Sequence, residues 1–274
     1  MALTKKVSIL GCGWLGKPLA VALVKAGYAV KGSTTTDWKM KDLAAEGIEP
    51  FLIHLNPEAE HKVLVPFFDS DILIISIPPG IKRNTSGFHL RQMQFILPFL
   101  KKAALQKVIY LSTTSVYPNL NREVVEEDVT QAADAANNTL GIAEDMIRSL
   151  DKSWLILRMA GLTGYDRLLI KHFAGKKGLP GGNKPINLIH RNDAVAIISQ
   201  FIQKEISKSV FNVAAPLHPT KEVFYTFLAR KFDFEMPAFI PEGPGKLVST
   251  KKLETILHPL FQYPNPLDFT YTGF

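Results

Sequence analysis

Gly11, Gly13 and Gly16 stand at the spacing G-x-G-x-x-G, directly after the apolar run Val7-Ser-Ile-Leu10 and just before a helix-like stretch, Lys17–Ala26. Glycines in this pattern do phosphate chemistry by what they lack. The first permits a tight turn off a strand, the second lets backbone approach a pyrophosphate, and the third lets the new helix pack closely on a sheet. The N–H groups at the helix start, and the helix dipole, then favour a negatively charged ligand. The flanking residues agree: Pro18 is tolerated in a first helical turn, Gly27 suits a C-terminal cap, and Tyr28–Gly32 reads as a second strand. The segment Gly11-Cys12-Gly13-Trp14-Leu15-Gly16 is therefore expected to hold a dinucleotide. Cys12 reads as a small residue that fits the turn rather than as a reactive thiol.

Cofactor choice is read one strand later. An NAD site wants a carboxylate at the end of the second strand, where it accepts the ribose 2′-hydroxyl. Here that region is Gly32-Ser33-Thr34-Thr35-Thr36, with no acid before Asp37 and with Lys39 just beyond. Hydroxyls and a nearby ammonium hold a 2′-phosphate without repulsion, so Ser33, Thr34, Thr35 and Lys39 predict NADP in preference to NAD.

The elements that position these residues follow from alternation. Val7–Leu10, Tyr28–Gly32, Pro50–Leu55, Ile72–Ile77, Lys107–Ser112 and Trp154–Leu157 are short apolar runs with helix-length segments between most of them, among them Arg91–Ala104 and Asn138–Leu150. Such alternation predicts an α/β fold, a Rossmann-type doubly wound parallel sheet covered on both faces. Beyond about residue 164 the pattern loosens into Gly/Pro/Lys-rich stretches. The expected layout is a dinucleotide-binding domain of residues 1–164 plus 185–214, and a smaller substrate-binding cap of residues 165–184 plus 215–274 over the carboxyl ends of the strands.

Composition limits the function classes. The 274 residues are 46% hydrophobic, 21% charged and 10% aromatic, enough for a full core, and no apolar run reaches the ~18 residues of a membrane helix. The start has no signal-peptide pattern, and a lone Cys12 makes no internal disulfide, so a cytoplasmic protein is expected. The net charge of +7 is scattered apart from Arg167, Lys171, Lys176, Lys177 and Lys184, without the aromatic interleaving of a nucleic-acid surface. A positive field that draws in a phosphorylated cofactor or substrate accounts for it, as does a solvated basic face. Neither nucleic acid nor membrane is an expected partner. The seven histidines show no metal-ligand spacing, so no metal is expected, and no nucleophile elbow G-x-S-x-G occurs.

Further motifs appear in a fixed order: Ser76-Ile77-Pro78-Pro-Gly80, Leu111-Ser-Thr-Thr-Ser-Val-Tyr-Pro118, Leu157-Arg-Met-Ala-Gly-Leu-Thr-Gly164, Asn187-Leu-Ile-His-Arg-Asn-Asp193 and Phe211-Asn-Val-Ala214. Together with the glycine turn, the set resembles the extended or atypical short-chain dehydrogenase/reductases, which include nucleotide-sugar epimerases and dehydratases. The resemblance implies that Trp14 and Leu15 lend backbone amides to the pyrophosphate. It implies that Ser76, Ile77 and Pro78 lie beside the cofactor's ribose and nicotinamide, and that Thr113 hydrogen-bonds a reacting hydroxyl or carbonyl. Asp193 reads as a helix cap and His190 as a hydrogen-bonded structural residue or a substrate contact. Glu126, Glu127 and Asp128 fall where such proteins place an acid above the sugar, or form a solvated charge cluster.

The family's Tyr-x-x-x-Lys is missing. If Glu144 marks the Glu that follows it, Ala136 and Leu140 occupy the Tyr and Lys positions, and no other such pair lies between Tyr117 and Leu157. General acid–base catalysis is typically worth ~10²–10⁴ in rate, so the loss is large. Two functions are then expected as alternatives. One is an NAD(P)-dependent oxidoreductase or epimerase acting on a small hydroxylated substrate, phosphorylated or nucleotide-linked, with a substituted catalytic set of Thr113, Tyr117 and His190. The other is a non-catalytic NADP-binding regulator or redox sensor.

Overall fold

The structure, a computed structural model, describes residues 4–55, 61–78 and 87–273. The first three residues, and Pro79 and Gly80 of the strand-end loop, lie outside them. In chain order the main elements begin with β1 (Lys6–Leu10), α1 (Gly16–Lys25), β2 (Ala29–Thr34), α2 (Lys39–Ala45), β3 (Glu49–Leu52), α3 (His61–Phe68) and β4 (Ile72–Ile75). They continue with α4 (Phe88–Lys102), β5 (Lys107–Thr113), β6 (Glu123–Val124), α5 (Asn138–Arg148), β7 (Ser153–Met159), β8 (Gly161–Thr163), β9 (Leu179–Pro180) and β10 (Leu188–His190). The last are α6 (Arg191–Gln203), β11 (Ser209–Val213), α7 (Lys221–Lys231), β12 (Phe239–Ile240), β13 (Leu247–Val248) and α8 (Lys251–Leu257).

Seven strands form one sheet in the order β11-β7-β5-β4-β1-β2-β3. The pairs β1–β2, β1–β4, β2–β3 and β4–β5 are parallel, with Val7 opposite both Val30 and Ile72. This is the doubly wound Rossmann-type sheet that the alternation predicts. Its central strands read as continuous apolar runs because both faces are covered; all four residues of β4 are buried. Helix α1 turns Gly16, Leu19, Ala20 and Leu23 inward, the spacing of one helical face, and Gly27 follows it at φ +88, with its N–H on the Val24 carbonyl.

The chain divides into two compact units. The first comprises Met1–Ser112, Gln131–Leu157 and Ile198–Val210, and the second Thr113–Thr130, Arg158–Ile197 and Phe211–Phe274. The division places 113–130, 158–164, 185–197 and 211–214, assigned by the sequence pattern to the dinucleotide-binding domain, in the second unit. The first unit has a core of Leu10, Phe67, Leu73, Ile75, Met93, Ile96, Tyr110 and Ile156. The second has its own, built on Ile170, Leu188, Phe224, Leu228 and Phe269.

Most boundaries differ from the sequence expectation by one to three residues. Helix α4 begins at Phe88 rather than Arg91, because Gly87 at φ +82 provides the left-handed entry. The parallel pairs β8–β10, β9–β12 and β6–β13 of the second unit are only two or three residues long, too short to leave a period of two in the sequence. No described helix is long and apolar enough to cross a membrane.

Candidate functional site

The glycine turn is held by backbone crowding on two sides and left open on a third. Gly11 lies at φ +104, and a Cβ there would stand 2.9 Å from the Ser76 carbonyl oxygen. A Cβ on Gly16 would run into the carbonyl oxygen of Gly11. At Gly13, in contrast, nothing among the described residues lies within 4 Å of where a Cβ would point. Leu15 at the N-cap makes no side-chain cap; in the first turn of α1 the Lys17 N–H bonds the Gly13 carbonyl and Pro18 has no N–H. A tight first glycine, an open second and a crowded third are what a pyrophosphate requires of this turn, and the residues present fit a dinucleotide.

The neighbours of the turn sort into scaffold and exposed rim. Ser33 is scaffold: it is buried, its Oγ accepts the Gly11 N–H at 2.8 Å, and its carbonyl accepts the Cys12 N–H at 2.7 Å. The hydroxyl expected from the sequence to help hold a 2′-phosphate thus also accepts from the turn. Thr34 is also buried, and its Oγ1 takes the Thr36 N–H. Thr35, Asp37 and Lys39 are exposed, and the Lys39 ammonium lies 5.4 Å over the Trp38 ring. Ser76 and Ile77 are half-buried and Pro78 is exposed. Cys12 is buried, and desolvation pushes its thiol up to about 12, so it is no nucleophile.

In the same unit, α5 and the residues before it carry the two positions that the sequence resemblance assigned to the Tyr and the Lys. Ala136 precedes its N-cap, Asn137, and Leu140 is buried in its first turn. Neither presents an acid or a base. Glu144 is fully buried; its Oε1 accepts from Ser112 Oγ at 2.7 Å and its Oε2 pairs with Arg148 at 2.8 Å. That carboxylate serves packing between α5 and β5.

The second unit contains the three residues nominated for catalysis. Thr113 is half-buried, and among the described residues its Oγ1 exchanges hydrogen bonds only with Ser115, capping a single 3₁₀ turn, Thr114–Val116. Tyr117 is buried. Its hydroxyl donates to Asn212 Oδ1 at 2.7 Å and accepts from Arg158 Nη1 at 2.7 Å. Burial drives the phenol far above its ordinary range. Arg158, fully buried, also donates to the carbonyls of Glu126 and Val129, and Glu126 Oε1 accepts the Asn212 N–H. Tyr117 thus closes a buried polar network in which its hydroxyl, nominated from the sequence as a substitute acid, both donates and accepts.

His190, read from the sequence as a hydrogen-bonded structural residue or a substrate contact, is enclosed in the same way. It is fully buried among Tyr165, Tyr263 and Phe269; Nδ1 accepts the Asn192 N–H, and Nε2 meets Thr270 Oγ1 at 3.4 Å. Desolvation lowers it to about 4, so at neutral pH it is an uncharged structural ring. Asp193 lies inside the first turn of α6 rather than at its cap, and its two oxygens accept the N–H groups of Gln262 and Tyr263. Asp128 chelates Arg122 and takes the Val125 N–H, while Glu127 pairs with Lys252 at the surface. Sequence reasoning passed over Arg158 and Asn212. A lone arginine closing the apolar run Trp154–Leu157 was the available signal, since such a residue is almost never buried unpaired.

The chain is similar to several known proteins. Residues 6–126 match the family model of the NAD binding domain of 6-phosphogluconate dehydrogenase. The chain is 32% identical over 269 residues to protein YeeZ of Escherichia coli, covering 96% of this chain and 98% of that one. Among solved structures it resembles MoeE5 in complex with UDP-glucose and NAD, with a TM-score of 0.76 and 14% identity over 97% of each chain. It also resembles the UDP-glucuronic acid 4-epimerase of Bacillus cereus, with a TM-score of 0.72 and 16% identity over 96% of this chain and 97% of that one. At such identities the structural likeness shows a shared fold.

Proposed function

Because this chain belongs to the YeeZ family and begins with an NAD-binding type of domain, we propose that it binds NADP and a small hydroxylated ligand, phosphorylated or nucleotide-linked, without tyrosine-driven hydride transfer. The observation that carries the dinucleotide is the open Gly13 between crowded Gly11 and Gly16. In this reading the backbone of Gly11–Gly16 takes the pyrophosphate, Thr35 and Lys39 the 2′-phosphate, and Ser76, Ile77 and Pro78 the ribose and nicotinamide side. The preference for NADP rests on a β2 that ends at Thr34 with no carboxylate and is followed by an exposed lysine. When bound, the nicotinamide supplies a hydride donor or acceptor. The chain's own α5 offers Ala136 and Leu140 where proton transfer needs a phenol and an ammonium, so the protein acts as a dinucleotide-dependent binding protein or redox sensor of the cytoplasm.

One observation favours a second reading, an oxidoreductase or epimerase. Thr113 retains a half-buried hydroxyl, bonded among the described residues only to Ser115, that can orient a carbonyl. The test is calorimetric titration with NADP and NAD, followed by nicotinamide absorbance across sugar nucleotides and simple carbonyls, with wild type beside Thr113→Ala. Tighter NADP binding and no turnover are expected. Turnover that vanishes in Thr113→Ala establishes the second reading. NAD binding as tightly as NADP overturns the cofactor preference, and no binding of either overturns the proposal.

A further inference from the structure

Lys184 and Lys221 of the second unit meet over Gly181, and Lys246 follows Gly245, against which the Lys184 stem lies. The stem of Lys184 lies across Gly245, where a Cβ would stand 2.8 Å from the lysine's Cβ and Cγ. The same stem and the Lys221 ammonium meet over Gly181, at 3.2 and 3.3 Å from the position of a Cβ there, with the Pro244 carbonyl at 3.5 Å. Lys246, next in the chain to Gly245, is half-buried and donates to the Tyr117 carbonyl at 2.6 Å. Its backbone is fixed by Asn187, whose Nδ2 donates to the Lys246 carbonyl and whose Oδ1 accepts the Val248 N–H. Among the described residues no carboxylate oxygen lies within 4.0 Å of any of these three ammoniums, although Glu222 approaches Gly182 nearby.

A half-buried ammonium with one backbone acceptor is costly. Desolvation disfavours its charge, and no anion of the protein restores it, so the Lys246 pKa is lowered by burial. Lysines at a solvated face show the opposite arrangement, as Lys251 and Lys252 do beside Glu123 and Glu127. The glycines matter as well: Gly181 lies at φ +74 and Gly243 at φ +148, and side chains on Gly181 or Gly245 would fill the space the lysine stems occupy. We propose that Lys246, with Lys184 and Lys221, receives the anionic group, phosphoryl or carboxylate, of a small ligand. The assignment deepens the proposed function by giving its ligand a charge, and it absorbs Lys184 of the basic cluster seen in the sequence. It uses only residues of the second unit, so it can fail while the dinucleotide reading stands.

The experiment titrates the full chain with UDP, uridine, glucuronate and glucose, with NADP binding followed separately. UDP against uridine isolates the phosphoryl arm, and glucuronate against glucose the carboxylate arm. Binding of one anionic probe, but not of its neutral counterpart, is expected, with an affinity that weakens as salt rises. Lys246→Met is expected to weaken that probe by about tenfold or more, as the loss of one charge-assisted contact implies, and to leave NADP affinity unchanged. Lys184→Met and Lys221→Met, which lose no side-chain hydrogen bond, should each weaken it several-fold and keep the test valid if Lys246→Met folds poorly. Equal binding by the Lys184 and Lys221 variants and wild type, or no binding of either anionic probe, overturns the site. Loss of NADP binding in the wild type would instead strike the proposed function alone.

Discussion

The glycine turn of the first unit and the Tyr117–Arg158 network of the second are built on opposite principles. Around Gly13 the chain withholds side chains and, among the described residues, leaves open the space a Cβ would enter. Around Arg158 it spends a guanidinium, a phenol, an amide and a carboxylate on one another, all buried. The first is unfinished without a ligand, whereas the second is finished without one. Perturbed groups are therefore a poor guide to chemistry in this protein: Tyr117 and His190, both strongly shifted, belong to the saturated kind, and the turn that invites a ligand contains no titrating group except an inert thiol.

The contrast can be broken most severely at Gly16. Gly16→Ala places a methyl group against the Gly11 carbonyl oxygen, so the turn must open. NADP affinity should fall by about 100-fold or more, and stability by about 2–4 kcal/mol, as read by calorimetric titration and urea unfolding. Removing the centre of the saturated region should do the reverse. Arg158→Met strands the Tyr117 hydroxyl and the Glu126 and Val129 carbonyls, and is expected to cost about 3–5 kcal/mol in urea unfolding. NADP affinity should stay within about twofold once folded protein is compared, a modest change by the tenfold-per-1.4-kcal/mol scale.

Acidity sharpens the comparison. His190 in the second unit and His89 in the first are each lowered from 6.5 to about 4, chiefly by burial. A histidine whose folded pKa is depressed binds its proton more readily when unfolded. Its contribution is thus fully present above 6.5 and is lost as pH falls from there toward about 4. The melting temperature should therefore drop steadily over that window. His190→Gln should flatten the slope by about one proton without altering NADP binding at neutral pH; an unchanged slope would mean that the ring is not buried in solution. The smallest expected effect lies at the exposed rim. Lys39→Ala should weaken NADP by about three- to tenfold at low salt and leave NAD unaffected, a difference that fades as ionic strength rises.

The parts of this architecture that were legible in the sequence are those with a period or a fixed spacing. The apolar runs of β1, β4 and β5 are buried on both faces and so stand out without knowledge of their partners, and the three glycines state their requirement by spacing alone. What stayed hidden depends on distance along the chain. Arg158 meets Glu126 from 32 residues away, and Tyr117 meets Asn212 from 95. Asp193 binds backbone N–H groups 69 and 70 residues on, so its helix-start position suggested a cap while its carboxylate fastens the C-terminal segment. Ser33 carries another such link, its Oγ accepting the Gly11 N–H from 22 residues earlier.

The only cysteine of the chain is buried inside the glycine turn, packed so closely that a Cβ on Gly32 would stand 2.7 Å from its sulfur. That thiol is a built-in clock for the turn. A maleimide or disulfide reagent reaches it only in molecules whose turn has come apart, so the modification rate counts those excursions directly, with no competing site on the chain. Occupancy of the turn by a dinucleotide should slow the count, and the protein thereby carries its own ligand gauge, readable by mass alone.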